Sequence, residues 1–298
     1  MYRIAVVTPD AEQDWHSREL LKAASNLADC AAVDPISFEV QAGELPSIRV
    51  NGGPADAYDA YIIRALNRLG EIDYQYDVFE LLERRGKLLV NSLAGLSLAE
   101  SKAQTTFCLR EAGLPVPRAF ATQDADKAAA AVRAFGMAVI KPLYGSHGIG
   151  VEKLDHEANV ELLSTFLDEY GAVYIQEYIP NQGRDIRAFV VGDEIPAAVY
   201  RVAREGEWKT NVFQGSTCLP CELSPALREL CLEAARIVGL DYTGVDLIEG
   251  PDGPMILELN GTPSWQGLFS ATNRNVAVDV VNRVLQMLDA GRCARQPA

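Results

Sequence analysis

The stretch "GVDLIEGPDGPMILELN", residues 244–260, constrains the fold of this chain more than any other. Two short apolar-alternating runs flank a turn rich in Gly and Pro, the pattern of a β-hairpin. Glu258 and Asn260 stand two apart on the second run, so their side chains share one face. A hairpin centred on Asp252 sets Asp246 opposite Glu258 on that same face, with Val245, Leu247, Leu257 and Leu259 turned the other way. Two carboxylates and an amide oxygen, with no thiol or imidazole, form a hard oxygen set suited to Mg²⁺. A hairpin with a solvated acidic side fits the same pattern, and the alternation does not separate the two readings.

A second stretch, "VIKPLYGSHGIGV" (139–151), places Lys141 at the end of a β-branched strand and three glycines directly after it: Gly145, Gly148 and Gly150. Such a loop is either a loose turn or a place where backbone amides approach an anion. Lys102 lies upstream in a helical segment, where a lone lysine is ordinarily a solvated charge. Two lysines, a glycine loop and an oxygen-ligand set together can neutralise a triphosphate. The loop is not GxxxxGK[ST], and no kinase HRD or DFG follows it.

The rest of the chain narrows the choice. Its 298 residues are enough for two or three domains. A balance of 27 basic to 41 acidic residues, −14 in all, argues against nucleic acid or an anionic membrane as main partner. No apolar run approaches 18 residues and the first residues lack a signal-peptide layout, so a cytoplasmic protein is expected. Six scattered cysteines include one CxxC, Cys218 and Cys221, without a second pair to complete a zinc site. The first 90 residues alternate strand and helix ("RIAVV", "SRELLKAASNLA", "AYDAYIIR", "DVFELLERRGK", "LLVN"), which predicts a small parallel sheet. Ser97, with Glu100 three residues on, predicts the start of one helix running to Gly113. "DIRAFVVG" and "EIPAAVYRVA" predict a hairpin about Gly192 and Asp193, "NVAVDVVNRVLQMLDAG" a last helix, and "RCARQPA" a frayed tail.

In order, Lys102, "VIKPLYGSHGIGV", "IQEYIPNQGRDIRAFVVG", "RVAREGEWKTN" and "GVDLIEGPDGPMILELNGTP" resemble the ATP-grasp carboxylate–amine ligases, most closely their RimK-type α-L-glutamate ligase branch. The resemblance covers about residues 90–270. It implies an α/β (α+β) ATP-grasp fold, divided as an N-terminal α/β domain (1–92), a central subdomain with a glycine lid (93–176) and a C-terminal subdomain with the Mg²⁺ site (177–298). It implies that Lys102 and Lys141 grip ATP phosphates beneath a lid containing Gly145, Ser146, Gly148 and Gly150. Glu177 and Tyr178 would meet adenine, Asp185 would contact the nucleotide, and Lys209, Thr210 and Asn211 would close over it. Asp246, Glu258 and Asn260 would hold two Mg²⁺ ions, with Mn²⁺ able to substitute. Arg187 and Arg201 would hold the carboxylate and its phosphate.

The implied reaction joins L-glutamate to a small carboxylate-bearing acceptor, for which a tetrahydromethanopterin-type pterin is the leading candidate. It runs through an acyl phosphate, in a homodimer or homotetramer. The alternatives are a ligase acting on a protein C-terminus, one of the D-alanine or glutathione type, and a non-catalytic nucleotide-binding protein. One departure stands out: after Asn211 the branch often reads Arg-Gly-Gly, whereas this chain has Gln214, Gly215 and Ser216.

Overall fold

The computed structural model describes residues 1–145, 149–155, 160–210 and 215–295. The N-terminal sheet is parallel, in the order β2 (Asp29–Val33), β1 (Arg3–Val7), β6 (Ala60–Ile63) and β7 (Leu88–Val90). Helices α1 (Trp15–Ser25) and α2 (Ile72–Arg84) cover it. Asp14 caps α1 by accepting from the Ser17 amide, and the chain leaves α2 through Gly86 at φ +74°. The expected βα alternation is present, but two pieces go beyond it. These are β2 at the sheet edge and a small antiparallel sheet of β3 (Phe38–Gln41), β4 (Ser47–Val50) and β5 (Gly53–Pro54).

The expected helix from Ser97 is two helices. α3 (Leu93–Glu100) is capped by Ser92, so Ser97 lies inside it and makes no cap. The chain then breaks at Ser101, which adopts an extended backbone (φ −91°, ψ 103°), and α4 (Lys102–Glu111) begins. The cause is local competition: the Ser101 hydroxyl accepts from the Gln104 amide and starts a new helix instead of continuing the old one. Lys102 is thereby the first residue of a helix, not an interior one.

The central sheet is antiparallel, in the order β10 (Glu152–Asp155), β9 (Met137–Pro142), β11 (Val173–Glu177) and β8 (Ala119–Thr122). Helices α5 (Ala125–Phe135) and α6 (Val160–Tyr170) bury Ala129, Val132, Leu163 and Phe166 against it. The third sheet, also antiparallel, runs β14 (Thr217–Pro220), β13 (Glu194–Val202), β12 (Arg184–Val191), β15 (Tyr242–Gly250) and β16 (Gly253–Asn260). Its apolar face packs on α7 (Pro225–Val238) and on Leu109 of α4. The other face joins a core shared with β1, α1, α8 (Gln266–Thr272) and α9 (Ala277–Arg295). The helix α9 continues through Arg295, so most of the tail expected to fray is helical, and residues 296–298 lie outside the described ones.

The hairpin register has a correction of its own. Gly250 pairs with Gly253, which centres the turn between Pro251 and Asp252, and Leu247 faces Ile256. A β-bulge then intervenes, so Asp246 faces Glu258 as expected, with Leu257 as the extra residue. Leu257 therefore borders the cleft, and Ile256 takes the core position expected of it.

Candidate active site

Two cavities meet at the cleft-facing side of β15 and β16. The first lies between the central and third sheets and is lined by Val139, Lys141, Tyr178, Trp208, Ile248 and Leu257, among others. The second, about 1150 Å³, extends from Arg187 and Asn260 to Asp14, His16, Arg64 and Arg68 of the N-terminal region. Lys102, Gly145, Arg201, Leu257 and Glu258 border both, so charged groups concentrate where the cavities join.

Each lysine is positioned by a different element. Lys102, at the start of α4, donates to the Gly145 carbonyl at 2.8 Å. Lys141, on β9, donates to Gln176 Oε1 at 2.8 Å. The Gln176 amide donates to the Tyr174 hydroxyl at 3.3 Å, and that hydroxyl shares a 2.7 Å hydrogen bond with Thr106, one turn after Lys102. This chain of contacts fixes α4 to the central sheet and aims both ammonium groups at one region. Burial lowers the proton affinity of each lysine, and Glu258 opposes that shift in both. Glu258 itself makes no hydrogen bond or ion pair among the described residues.

Arg187 on β12 grips Asp246 through Nε and Nη2, the latter at 2.6 Å. Arg201 on β13 holds Asp185 at 2.7 and 2.5 Å and also reaches Asp246 at 2.8 Å. Burial would raise the Asp246 carboxyl, but the two guanidiniums outweigh it and hold it down at about 2. Asp185 is 3% exposed and also accepts from Thr210 at 2.5 Å. Its carboxylate therefore serves Arg201 and Thr210 at the wall of the first cavity.

Glu177 is bound by Arg118 at 2.7 and 2.8 Å, and its amide donates to the Arg118 carbonyl. The Tyr178 ring lies under Lys153 at 4.8 Å and edge-on to Trp208 at 6.3 Å, while Lys209 sits 5.7 Å from the Trp208 ring. Gly150 needs its lack of a side chain on two counts: φ is +67°, and a Cβ would meet Pro142 at 2.8 Å and the Tyr170 hydroxyl at 2.9 Å. Ser146, Gly148 and Asn211 lie outside the described residues. Cys218 and Cys221 are free thiols whose pKa burial raises.

Several contributors escaped the sequence reading. Gln176 carried no signal of its own, because its place beside Lys141 comes from the pairing of β11 with β9. Trp208 and Lys153 carried none, and neither did Asp14, His16, Arg64 and Arg68, which reach the cleft from a region remote in sequence.

Comparison with known proteins decides the family, because residues 99–285 match the RimK-like ATP-grasp domain. The chain belongs to that family. It is 32% identical to the tetrahydromethanopterin:alpha-L-glutamate ligase of Methanosarcina acetivorans, over 97% of this chain and 100% of that one. The enzyme of the same name from Methanocaldococcus jannaschii is 37% identical over 72% of this chain and 75% of its own. A probable alpha-L-glutamate ligase of Legionella pneumophila is 31% identical over 95% of both. Among solved structures, the ATP-grasp ligase PsnB complexed with minimal precursor, Mg and ADP superposes with a TM-score of 0.75 at 25% identity, over 96% of this chain and 98% of that one. The RimK domain protein of Sphaerobacter thermophilus gives 0.70 at 22% identity, covering 95% and 99%, which speaks for the fold alone. The RimK-like protein thus has the ATP-grasp fold of an ATP-dependent ligase family. Among its described residues no helix is long and apolar enough to cross a membrane.

Proposed function

We propose that this protein is an ATP-dependent carboxylate–amine ligase that adds L-glutamate to a carboxylate of a small acceptor, a pterin-type coenzyme such as tetrahydromethanopterin, releasing ADP and phosphate. The observation that carries the reading is the junction of the two cavities at Lys102, Arg201 and Glu258. One chamber has the aromatic and aliphatic walls that suit a nucleotide base, and the other has room for an acceptor and an amine. The names of the relatives aligned along most of the chain support the choice of amine and acceptor.

The residues divide the work. A carboxylate resists attack by an amine at neutral pH, so it is first phosphorylated by ATP to an acyl phosphate, whose acyl carbon the amine then attacks. Lys102 and Lys141 take the phosphate charge, which suits their position as half-buried cations with few other partners. The lid from Gly145 through Ser146 and Gly148 to Gly150 excludes water from the acyl phosphate. Glu177 and Tyr178 face the base, and Lys209, Thr210 and Asn211 close over the nucleotide beside Asp185. Arg187 and Arg201 each retain Nη1 without a hydrogen bond among the described residues, and these donors hold the oxyanions of the activated carboxylate.

The oxygen set also fits a divalent cation. Glu258 and the Asn260 Oδ1 have no hydrogen-bond partner among the described residues, and Asp246 Oδ1 accepts from Arg187 alone. Asp246, Glu258 and Asn260 would hold Mg²⁺, as two ions that Mn²⁺ can replace, and bound metal would spread the charge on the phosphoryl oxygens. The protein is further proposed to work in the cytoplasm as a homodimer or homotetramer.

The test is incubation with ATP, Mg²⁺, L-glutamate and tetrahydromethanopterin, read by ADP release and by mass spectrometry of the acceptor. ADP together with a mass gain of glutamyl units is expected. Absence of ADP with every carboxylate tried would sink the ligase reading, and turnover with glycine, cysteine or D-alanine in place of glutamate would reassign the amine.

A further inference from the structure

At the far end of the second cavity two buried polar atoms have no partner. His16 is 9% exposed, and its Nδ1 lies 3.0 Å from Asp14 Oδ1 while its Nε2 has no hydrogen bond. Arg64 is 8% exposed; its Nη1 donates to the Thr262 carbonyl at 2.5 Å, but its Nε is also unbonded. Both side chains converge on one carboxylate, since Arg64 Nε stands 3.7 Å from Asp14 Oδ2. Both also pack on one indole: the His16 ring is 4.7 Å from Trp265 and the Arg64 guanidinium 5.7 Å from it, with Trp15 closing the other side of the imidazole at 5.2 Å.

Asp14 cannot absorb the spare Arg64 donor, because its Oδ2 already accepts from the Ser17 amide and hydroxyl at 2.9 and 2.5 Å, while its Oδ1 accepts from His16 Nδ1 and leaves a lone pair at Nε2. Buried polar atoms are normally satisfied, so two left open at the wall of one cavity and against one indole point to a bound group. Arg68, exposed on the same wall, makes no hydrogen bond or ion pair among the described residues and adds a second cation. The charge and the hydrogen-bond needs of this corner call for a small planar anion. Near the junction, by contrast, Arg187 and Arg201 spend Nε and Nη2 on Asp246 and Asp185, and only Nη1 of each is left for the activated carboxylate.

We propose that Arg64 and Arg68 form the seat for a carboxylate of the amine-bearing amino acid, a function that rests on the ligase reading above. The seat anchors the amino acid at its acidic end while its amine faces the junction of the cavities. Arg64 supplies Nε and Arg68 a second donor from the exposed rim, while the His16 imidazole closes the wall beside Arg64. The Trp15 and Trp265 rings exclude water and strengthen each of these contacts.

The same two indoles provide the assay. The protein is saturated with Mg²⁺–ADP, so that Trp208 in the first cavity gives a constant signal, and is titrated with L-glutamate, glutarate and inorganic phosphate while tryptophan fluorescence is followed. A saturable change is expected with glutamate and with glutarate, with a dissociation constant at least tenfold higher in Arg64→Gln and in Arg68→Gln and Mg²⁺–ADP binding unaltered. Arg68→Gln decides the matter if Arg64→Gln, having lost its bond to Thr262, does not fold. The seat is overturned if the deciding variant binds glutamate as tightly as wild type. No saturable response to either carboxylate, or a response to phosphate alone, overturns it equally. Turnover is measured separately. Arg64-dependent binding of glutarate without ADP formation from glutamate keeps the seat and removes the ligase reading; turnover with an unchanged KM for glutamate in both variants does the reverse.

Discussion

Glu258 and Lys141 are opposite cases of a charge held for function. Glu258 has no hydrogen-bonded partner among the described residues and stands between two cavities. Replacing it by Gln removes charge without removing packing, so Glu258→Gln should lower ADP formation by about 10²- to 10³-fold. Its nucleotide-free melting temperature should stay within about 2 °C of wild type, as for a substitution that breaks no native contact. Near-normal ADP release would end the metal assignment. Lys141 is half-buried, and desolvation lowers its proton affinity below that of the unfolded chain. The cost of keeping it charged is therefore fully present at neutral pH. It disappears as pH rises through the unfolded lysine value near 10.4. Measured in urea, the stability of Lys141→Met relative to wild type should fall as pH rises toward that value, because wild type then sheds a cost the variant never carries. Its ATP turnover should fall by about 10²-fold or more. A stability difference from wild type that does not change with pH would contradict the account.

At the scale of elements, the break at Ser101 and the bulge at Leu257 do the positioning. One delivers Lys102 at a helix start and the other sets Glu258 opposite Asp246. A third device ties the N-terminal sheet to the same region. Asn91, fully buried just after β7, donates to the Tyr242 and Gly261 carbonyls at 2.8 and 2.7 Å and accepts from the Asp241 and Tyr242 amides at 2.7 and 3.0 Å. One side chain thus satisfies four backbone groups next to the strand that carries Asn260. Asn91→Ala leaves those groups buried and unpaired, which should cost about 2–4 kcal/mol in urea unfolding. The KM for ATP should rise in parallel, because the loop after β16 loses its anchor. A loss below about 0.5 kcal/mol would mean that the anchor carries little.

For the whole molecule the relevant contrast is between global and local charge. The chain carries −14 overall, yet at the cavity junction Lys102, Lys141, Arg187 and Arg201 face Asp185, Asp246 and Glu258, a local excess of cations. An anionic nucleotide is therefore drawn to one place on a protein that otherwise repels it. Because that place lies between sheets from different parts of the chain, its occupation should stabilise the fold as a unit. Mg²⁺–ADP at about 100 times its dissociation constant contributes roughly 2.7 kcal/mol. For a chain of this size the melting temperature should then rise by about 4 °C. Chelation of Mg²⁺ should remove most of that rise, and a melting temperature indifferent to Mg²⁺–ADP would argue against a nucleotide site here.

What the sequence determined by itself is what short-range periodicity encodes. The hairpin of β15 and β16, the hairpin of β12 and β13, the parallel N-terminal sheet and the strand ending at Lys141 follow from period-2 and period-3.6 patterns with Gly and Pro at their ends. Those patterns also sufficed to put Asp246, Glu258 and Asn260 on one face. They could not show the break at Ser101, since a serine inside a helical pattern and a serine capping a new helix read alike until packing chooses. Nor could they show that a bulge sets Glu258 opposite Asp246 and turns Leu257 to the cleft, because a bulge changes register without changing composition. The pairing of Arg187 and Arg201 with Asp246, the support of Lys141 by Gln176, and the meeting of His16 with Arg64 on Trp265 were decided only by tertiary structure. Each joins residues brought together across the fold by sheet order and core packing, and no local pattern in the chain carries that distance.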